Sequence, residues 1–218
     1  MTTSPSDPPA SQPTVYIVED DADACEMLAE LLKANELNVH CFASAEDFLR
    51  HGANSRPACA VVDLRLPGMS GLDLHAKLSD PPPLPVIVIT GHGDVATARA
   101  ALLAGARDFL EKPVQAQDLL DAVGAALASD TQAIALVRER SEMANLVARL
   151  TPREHEVFRR ITDGLHNREI AAELGISPRT VEVHRARLME KLKVRRLADL
   201  FRIRVVTDPS AQGSMRLS

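Results

Sequence analysis

The chain has 218 residues, 45% of them apolar, and a formal net charge of −5, a composition ordinary for globular proteins and long enough for two packed cores. The charge is divided rather than spread: residues 1–126 hold 8 Lys and Arg against 18 Asp and Glu, and residues 151–206 hold 13 against 8, so only the second module suits a polyanion. Cys25, Cys41 and Cys59 share no CxxC spacing and lie in segments that read as core, so neither a disulfide framework nor a zinc site is suggested, and no apolar signal-peptide core opens the chain.

Residues 1–13, rich in Pro, Ser and Thr, read as a disordered segment, and no run of ~18 apolar residues follows, so a cytoplasmic protein off the membrane is expected. From there short apolar, β-branched runs alternate with helical patterns. Residues 15–18 precede a helix marked by Met27, Leu28, Leu31 and Leu32. Residues 39–42 precede one carrying Phe48 and Leu49, with Ser44 as its cap. Residues 58–62 lead to Leu72, Leu74 and Leu78, and residues 86–89 to a helix over 95–104. A weaker strand at 107–110 is followed by Leu119, Leu120, Val123 and Leu127. Such strands read as covered on both faces, and their alternation with helices predicts an α/β doubly wound five-stranded parallel sheet with right-handed crossovers.

The polar residues fall where that fold needs them for chemistry. Open α/β sheets bind ligands at the carboxyl ends of their strands. Glu19 and Asp20 follow the first strand, Asp63 the third, Thr90 the fourth, and Lys112 the fifth. Mg²⁺ takes hard oxygen ligands and keeps several waters, so Asp20 and Asp63 are the expected ligands, with Glu19 acting through a water and the backbone carbonyl of Arg65 filling another position. Asp63 could then attack a phosphoryl donor, Lys112 neutralising charge on the phosphoryl oxygens and Thr90 hydrogen-bonding one of them. Taken singly, each residue has a plainer reading: Asp21 or Asp23 as a helix cap, Thr90 as a turn residue, Lys112 as a solvated charge. The constellation carries the inference.

Val18-Glu19-Asp20-Asp21, Asp63-Leu64-Arg65-Leu66-Pro67-Gly68-Met69-Ser70-Gly71, Thr90-Gly91-His92-Gly93-Asp94 and Asp108-Phe109-Leu110-Glu111-Lys112-Pro113 resemble the receiver domains of two-component response regulators, over residues 14–128. The resemblance implies a flavodoxin-like fold, Asp63 as phosphoacceptor, a sensor histidine kinase as donor, and Phe109 as an aromatic that turns inward with Thr90 on activation. On burial alone Phe109 could equally be core. The acidic pair begins with Glu where the family more often has Asp.

Residues 129–149 are neither Gly/Ser-rich nor Pro-rich, and Ile134, Val137, Met143, Leu146, Val147 and Leu150 form an imperfect helical stripe. This predicts a semi-rigid helical linker, open to pairing between subunits; the alternative is a partly frayed linker whose apolar residues cover the recognition helix at rest. Thr151-Pro152-Arg153-Glu154 is a capping box with proline at the first helical position, and Val157, Phe158 and Ile161 follow as a stripe. Asn167 can cap a second helix ending at Gly175, and Ser177-Pro178 starts a third with Val181, His184, Leu188 and Leu192 on one side. A helix, a glycine turn and a longer basic helix make a helix-turn-helix, so an all-α four-helix domain is expected over 150–206, before a flexible tail at 207–218.

On the third helix Thr180, Arg185, Arg187 and Lys191 are the expected phosphate contacts, and Glu182, Val183 and Ala186 the readers of bases in double-stranded promoter DNA. Residues 150–206 resemble the LuxR-type DNA-binding domain, and the order of modules resembles the NarL/FixJ family, the recognition helix most like its FixJ branch. The resemblance implies a regulator that acts on the transcription machinery, forms a homodimer on phosphorylation, and is not a true enzyme beyond slow self-dephosphorylation. Leu197, Leu200, Phe201 and Ile203 of a fourth helix could serve dimerisation, the domain's own core, or both. Two other readings stay open: a phosphatase of the haloacid dehalogenase type, which would place a carboxylate where Arg65 stands, and a receiver that works without phosphate.

Overall fold

Five parallel strands stand in the order β2-β1-β3-β4-β5: β1 (Thr14–Val18), β2 (Asn38–Phe42), β3 (Ala58–Asp63), β4 (Val86–Thr90) and β5 (Asp108–Glu111). The computed structural model describes residues 12–78, 82–91 and 95–208, with backbone alone at 95–98. Most of the N-terminal segment, the motif residues His92, Gly93 and Asp94, and the tail beyond 208 lie outside the described residues. The helices are α1 (Ala22–Ala34), α2 (Ala45–His51), α3 (Gly71–Lys77), α4 (Val95–Leu103), α5 (Ala116–Ala148), α6 (Pro152–Thr162), α7 (Asn167–Leu174), α8 (Pro178–Lys191) and α9 (Leu197–Thr207). The chain divides into two compact units, residues 1–135 and 136–218.

In the first unit the strand period of two sorts side chains between the sheet faces. Val15, Ile17, Cys59, Val61, Ile87 and Ile89 pack with Leu28 and Leu32 of α1 and Leu119, Val123 and Leu127 of α5. Tyr16, Val18, Ala60, Val62, Val86 and Val88 pack with Phe48 of α2, Leu74 of α3 and Ala101 of α4. Each Val, Leu, Ile or Phe among them contributes about 1.5–3 kcal/mol on leaving water. Strands β1, β3 and β4 are buried throughout. β2 and β5 are not: they are the sheet edges, and Asn38, His40 and Cys41 are exposed. The expectation of cover on both faces therefore fails for β2, and with it the placing of Cys41 in the core.

The stretch expected as a helical linker at 129–149 is helical to residue 148, as the continuation of α5. Asp130, inside that stretch, is fully buried and belongs to the first unit. By length and hydropathy α5 could cross a membrane, a signal the sequence reading passed over, but Leu119, Ala122, Val123, Ala126 and Leu127 pack on the sheet.

The second unit packs Val157, Phe158, Ile161, Ile170, Ala171, Val181, Leu188, Leu192, Leu200 and Ile203 into one core. Met143, Leu146, Val147 and Leu150 pack against it, so the last turn of the linker stripe is part of this unit. The expected capping box starts α6, with Thr151 Oγ1 accepting from the Glu154 N–H and Glu154 Oε2 from the Thr151 N–H. The cap of α7 is His166 rather than Asn167, its N–H donating to Glu169 Oε2 at 2.7 Å. Gly175 closes α7 in the left-handed conformation at φ 65°, and Ser177 caps α8 through the Thr180 N–H at 3.1 Å.

Candidate functional site

β1 and β3 are neighbours whose following segments leave toward opposite sides of the sheet order, which opens a crevice at their carboxyl ends. Glu19 and Asp20 lie in the turn after β1. The Glu19 N–H donates to the Phe42 carbonyl at 3.0 Å, tying the turn to the end of β2. Asp21 has the plainer role foreseen for it, accepting from the N–H groups of Asp23 and Ala24 to cap α1. Asp63 ends β3 and is 7% exposed, with Oδ1 accepting from the Arg65 N–H at 2.8 Å.

Lys112, in the segment after β5, joins these elements. Its Nζ lies 2.5 Å from Asp63 Oδ2 and 2.6 Å from Glu19 Oε2. One oxygen from each of Glu19, Asp20 and Asp63 falls within 4.8 Å of the others. Burial pushes the proton affinity of Glu19 up, and the nearby Asp63 adds to it, against the pull of Lys112. Burial alone would weaken the Lys112 ammonium, but its bonds to Asp63 and Glu19 outweigh that and raise its pKa. Three carboxylates face one ammonium, and hard oxygens with excess negative charge fit a hard dication.

Thr90 is buried at the end of β4, the strand beside β3, and its carbonyl accepts from the Lys112 N–H at 2.9 Å. Phe109 is half-buried in β5 and packs on the α3–α4 side of the sheet. The structure thus gathers Glu19, Asp20, Asp63 and Lys112, with Thr90 on the adjoining strand. Glu19 is paired directly with Lys112. The turn after Asp63 is tight: a Cβ on Gly71 would collide with the Asp63 carbonyl oxygen, and Gly68 sits at φ 81°. Sequence reading missed Glu46, whose Oε1 accepts from the Met69 N–H at 3.1 Å and fastens this turn to α2. No local pattern announces such a bond, since Glu46 reads as an ordinary first-turn acid.

In the second unit α8 buries Val181, Leu188 and Leu192. Glu182, Val183, Ala186 and Arg187 stand exposed on the other side, as a surface that reads a groove must. Thr180 is half-buried, its hydroxyl 2.8 Å from that of Ser177. Arg185 is half-buried and lines a cavity of about 570 Å³ with Arg168, Leu197 and Phe201. Lys191 Nζ lies 2.6 Å from Glu154 Oε2, a carboxylate only 4% exposed, which ties it to the start of α6. Leu200 and Ile203 of α9 are core, whereas Leu197 is 38% exposed.

Residues 15–124 match the response regulator receiver domain, and residues 148–204 the bacterial regulatory proteins of the luxR family. The transcriptional regulatory protein FixJ of Azorhizobium caulinodans is 42% identical over 89% of this chain and 92% of its own. Nodulation protein W of Bradyrhizobium diazoefficiens is 40% identical over 87% and 84%. Among solved structures, the response regulator StyR is 39% identical with a TM-score of 0.77, over 88% of this chain and 98% of that one. Full-length FixJ from B. japonicum is 35% identical with a TM-score of 0.53, over 88% and 96%.

Proposed function

The chain belongs to the response regulators that join a receiver domain to a LuxR-family DNA-binding domain, transcriptional regulators of two-component signalling, and from that footing we propose that Asp63 is the phosphoacceptor. What carries the reading is the ammonium of Lys112 set between Glu19 and Asp63 at the strand ends. An Asp63 oxygen attacks the phosphorus of a phosphohistidine on a sensor histidine kinase, the phosphorus–nitrogen bond breaks, and an aspartyl phosphate results. Lys112 neutralises charge on the phosphoryl oxygens, and the Thr90 hydroxyl donates to one of them. Glu19, Asp20, Asp63 and the Arg65 carbonyl would hold Mg²⁺, which when bound supplies positive charge against those same oxygens. Beyond this self-modification and its slow hydrolysis, the chain turns nothing over.

The phosphorylated receiver, with Phe109 turned inward, pairs two subunits through the α4–β5 face, where Leu102 and Leu103 are 50% and 76% exposed. Two α8 helices then meet successive half-sites of promoter DNA and act on the transcription machinery in the cytoplasm. We take the receiver as residues 14–128, the DNA-binding domain as 150–206, and the helical stretch between them as the connection. Added charge can drive this only because the two receiver states hold it unequally well.

Incubation with a small phosphodonor tests the reading. The native chain should take up one hydroxylamine-labile phosphoryl group and bind operator more tightly, and Asp63→Asn should do neither. An Asp63→Asn variant that dimerised and bound DNA as the native chain does on phosphorylation would end it.

A further inference from the structure

Cys25 lies in the first turns of α1 and Cys41 near the end of β2, so nothing in their sequence spacing suggests that they meet. Alternation along β2 turns His40 and Phe42 toward Tyr16 on one face, and Val39 and Cys41 toward α1 on the other. The Cys41 thiol donates to the Cys25 carbonyl oxygen at 3.8 Å, which brings the two residues together across α1 and β2. Cys41 is exposed and Cys25 buried beneath it, while Cys59 lies buried within β3. An accessible thiol stacked on a buried one is the arrangement of an attacking and a resolving cysteine.

We propose that Cys25 and Cys41 form a redox modification site, closing to a reversible disulfide by exchange with a low-molecular-weight disulfide of the oxidised-glutathione class. The Cys41 thiolate attacks one sulfur of the reagent, whose S–S bond breaks, releasing one thiolate and leaving a mixed disulfide on Cys41. Cys25 then gives up its proton and its sulfur displaces the second reagent thiolate. Two protein thiols and one reagent disulfide become one protein disulfide and two reagent thiols; the protein sulfurs lose two electrons and the reagent gains them. Burial, with the neighbouring Cys41 behind it, pushes the Cys25 thiol up to about 12, so Cys25 waits as a thiol and Cys41 is the point of entry.

The bond would close around the acidic turn. Phe42, next to Cys41, holds the Glu19 N–H, and Cys25 follows the Asp21 cap on the same short segment. A disulfide between α1 and β2 therefore restrains Glu19 and Asp20, a consequence that rests on reading their pocket as the phosphoacceptor site.

The full chain is treated with oxidised glutathione, denatured, and titrated for free thiols. Of its three thiols only that of Cys59 should remain, digestion should yield a Cys25–Cys41 linked peptide, and dithiothreitol should reverse both. Cys59→Ala should leave the linkage intact, and Cys25→Ser should stop at a mixed disulfide on Cys41. A native chain that keeps glutathione on Cys41, or cross-links only between chains, overturns the site. Phosphoryl uptake should slow about tenfold on oxidation, since misplacing reacting groups by about 1 Å costs up to about 10²-fold, and Cys41→Ser should be indifferent to oxidant. If the disulfide forms and uptake is unchanged, control of the pocket is refuted. If the reduced chain takes up no phosphoryl group at all, the reading of Asp63 fails while the thiol result stands.

Discussion

Asp130 is 0% exposed, and its carboxylate takes three donors: Arg56 Nε at 2.8 Å, Arg56 Nη2, and the N–H of Ala58 at 2.8 Å. It fastens α5 to the start of β3. Asp130→Ala would strip Ala58 of the acceptor for a buried donor, which costs about 1–3 kcal/mol, and remove the carboxylate that pairs with Arg56. Breaking one side of a fully buried pair costs about 3–5 kcal/mol. Arg56 is 24% exposed and also donates to the Pro82 carbonyl, so part of that loss is recovered in water. The expected sum is about 3–4 kcal/mol, a large share of the ~5–15 kcal/mol that holds a domain together.

The chain has no tryptophan and one tyrosine. Tyr16 is buried in the first unit, its hydroxyl accepting from the Ser55 N–H, so tyrosine fluorescence during urea unfolding reports that unit alone. Asp130→Asn, which keeps an acceptor for Ala58, should lose about 1–2 kcal/mol less than Asp130→Ala. Arg56→Met combined with Asp130→Asn should recover most of the remaining loss, because no buried charge is left unpaired. A midpoint for Asp130→Ala within about 1 kcal/mol of native would refute the assignment of this pair as a clamp.

Glu154 is held below its usual 4.5: burial opposes its charge, but the bonds from Lys191 and Thr151 prevail. A depressed acid contributes stability that is present above the unfolded value and lost as pH falls through the folded one, so the second unit should weaken below 4.5. Glu154→Gln should flatten that acid limb, read from the methyl NMR signals of Ile161 and Leu192. Gly71→Ala should cost about 1–3 kcal/mol through overpacking and slow phosphoryl uptake at Asp63, because the new methyl meets the Asp63 carbonyl; native uptake kinetics would contradict this. On α8, Arg187→Ala should lower the salt dependence of DNA binding by about one unit of slope, whereas Lys191→Met should leave the slope alone and lower thermal stability.

The strands that form the pocket were legible because chemistry and hydropathy agree there: an apolar run ends, and an acid or hydroxyl follows. β2 was misread for a physical reason, since hydropathy records that a strand is apolar and not whether a neighbour covers its far side. Cys41 went wrong with it. Asp130 carries no local signal in the sequence; only tertiary packing brings Arg56, 74 residues away in sequence, against it. The pairing of Lys191 with buried Glu154 was equally illegible, because a local excess of basic residues does not say which of them meets a buried acid. The capping box at Thr151 and the glycine at 175 were read correctly since both are satisfied within one turn.

One ammonium serving two carboxylates has a consequence for how the receiver could switch. At rest Lys112 bridges Asp63 and Glu19, and the buried Glu19 depends on that cation to stay charged. Phosphorylation would remove the carboxylate charge of Asp63 and set a phosphoryl group of about −2 in its place. Lys112 is then drawn further toward the new oxygens, and Glu19 must find another cation or take up a proton. Either outcome disturbs the turn that hangs from Phe42, and through Lys112 the end of β5 beside Thr90. On the proposal that Asp63 is the phosphoacceptor, competition for Lys112 between the phosphoryl oxygens and Glu19 would contribute to the free-energy difference between the two states.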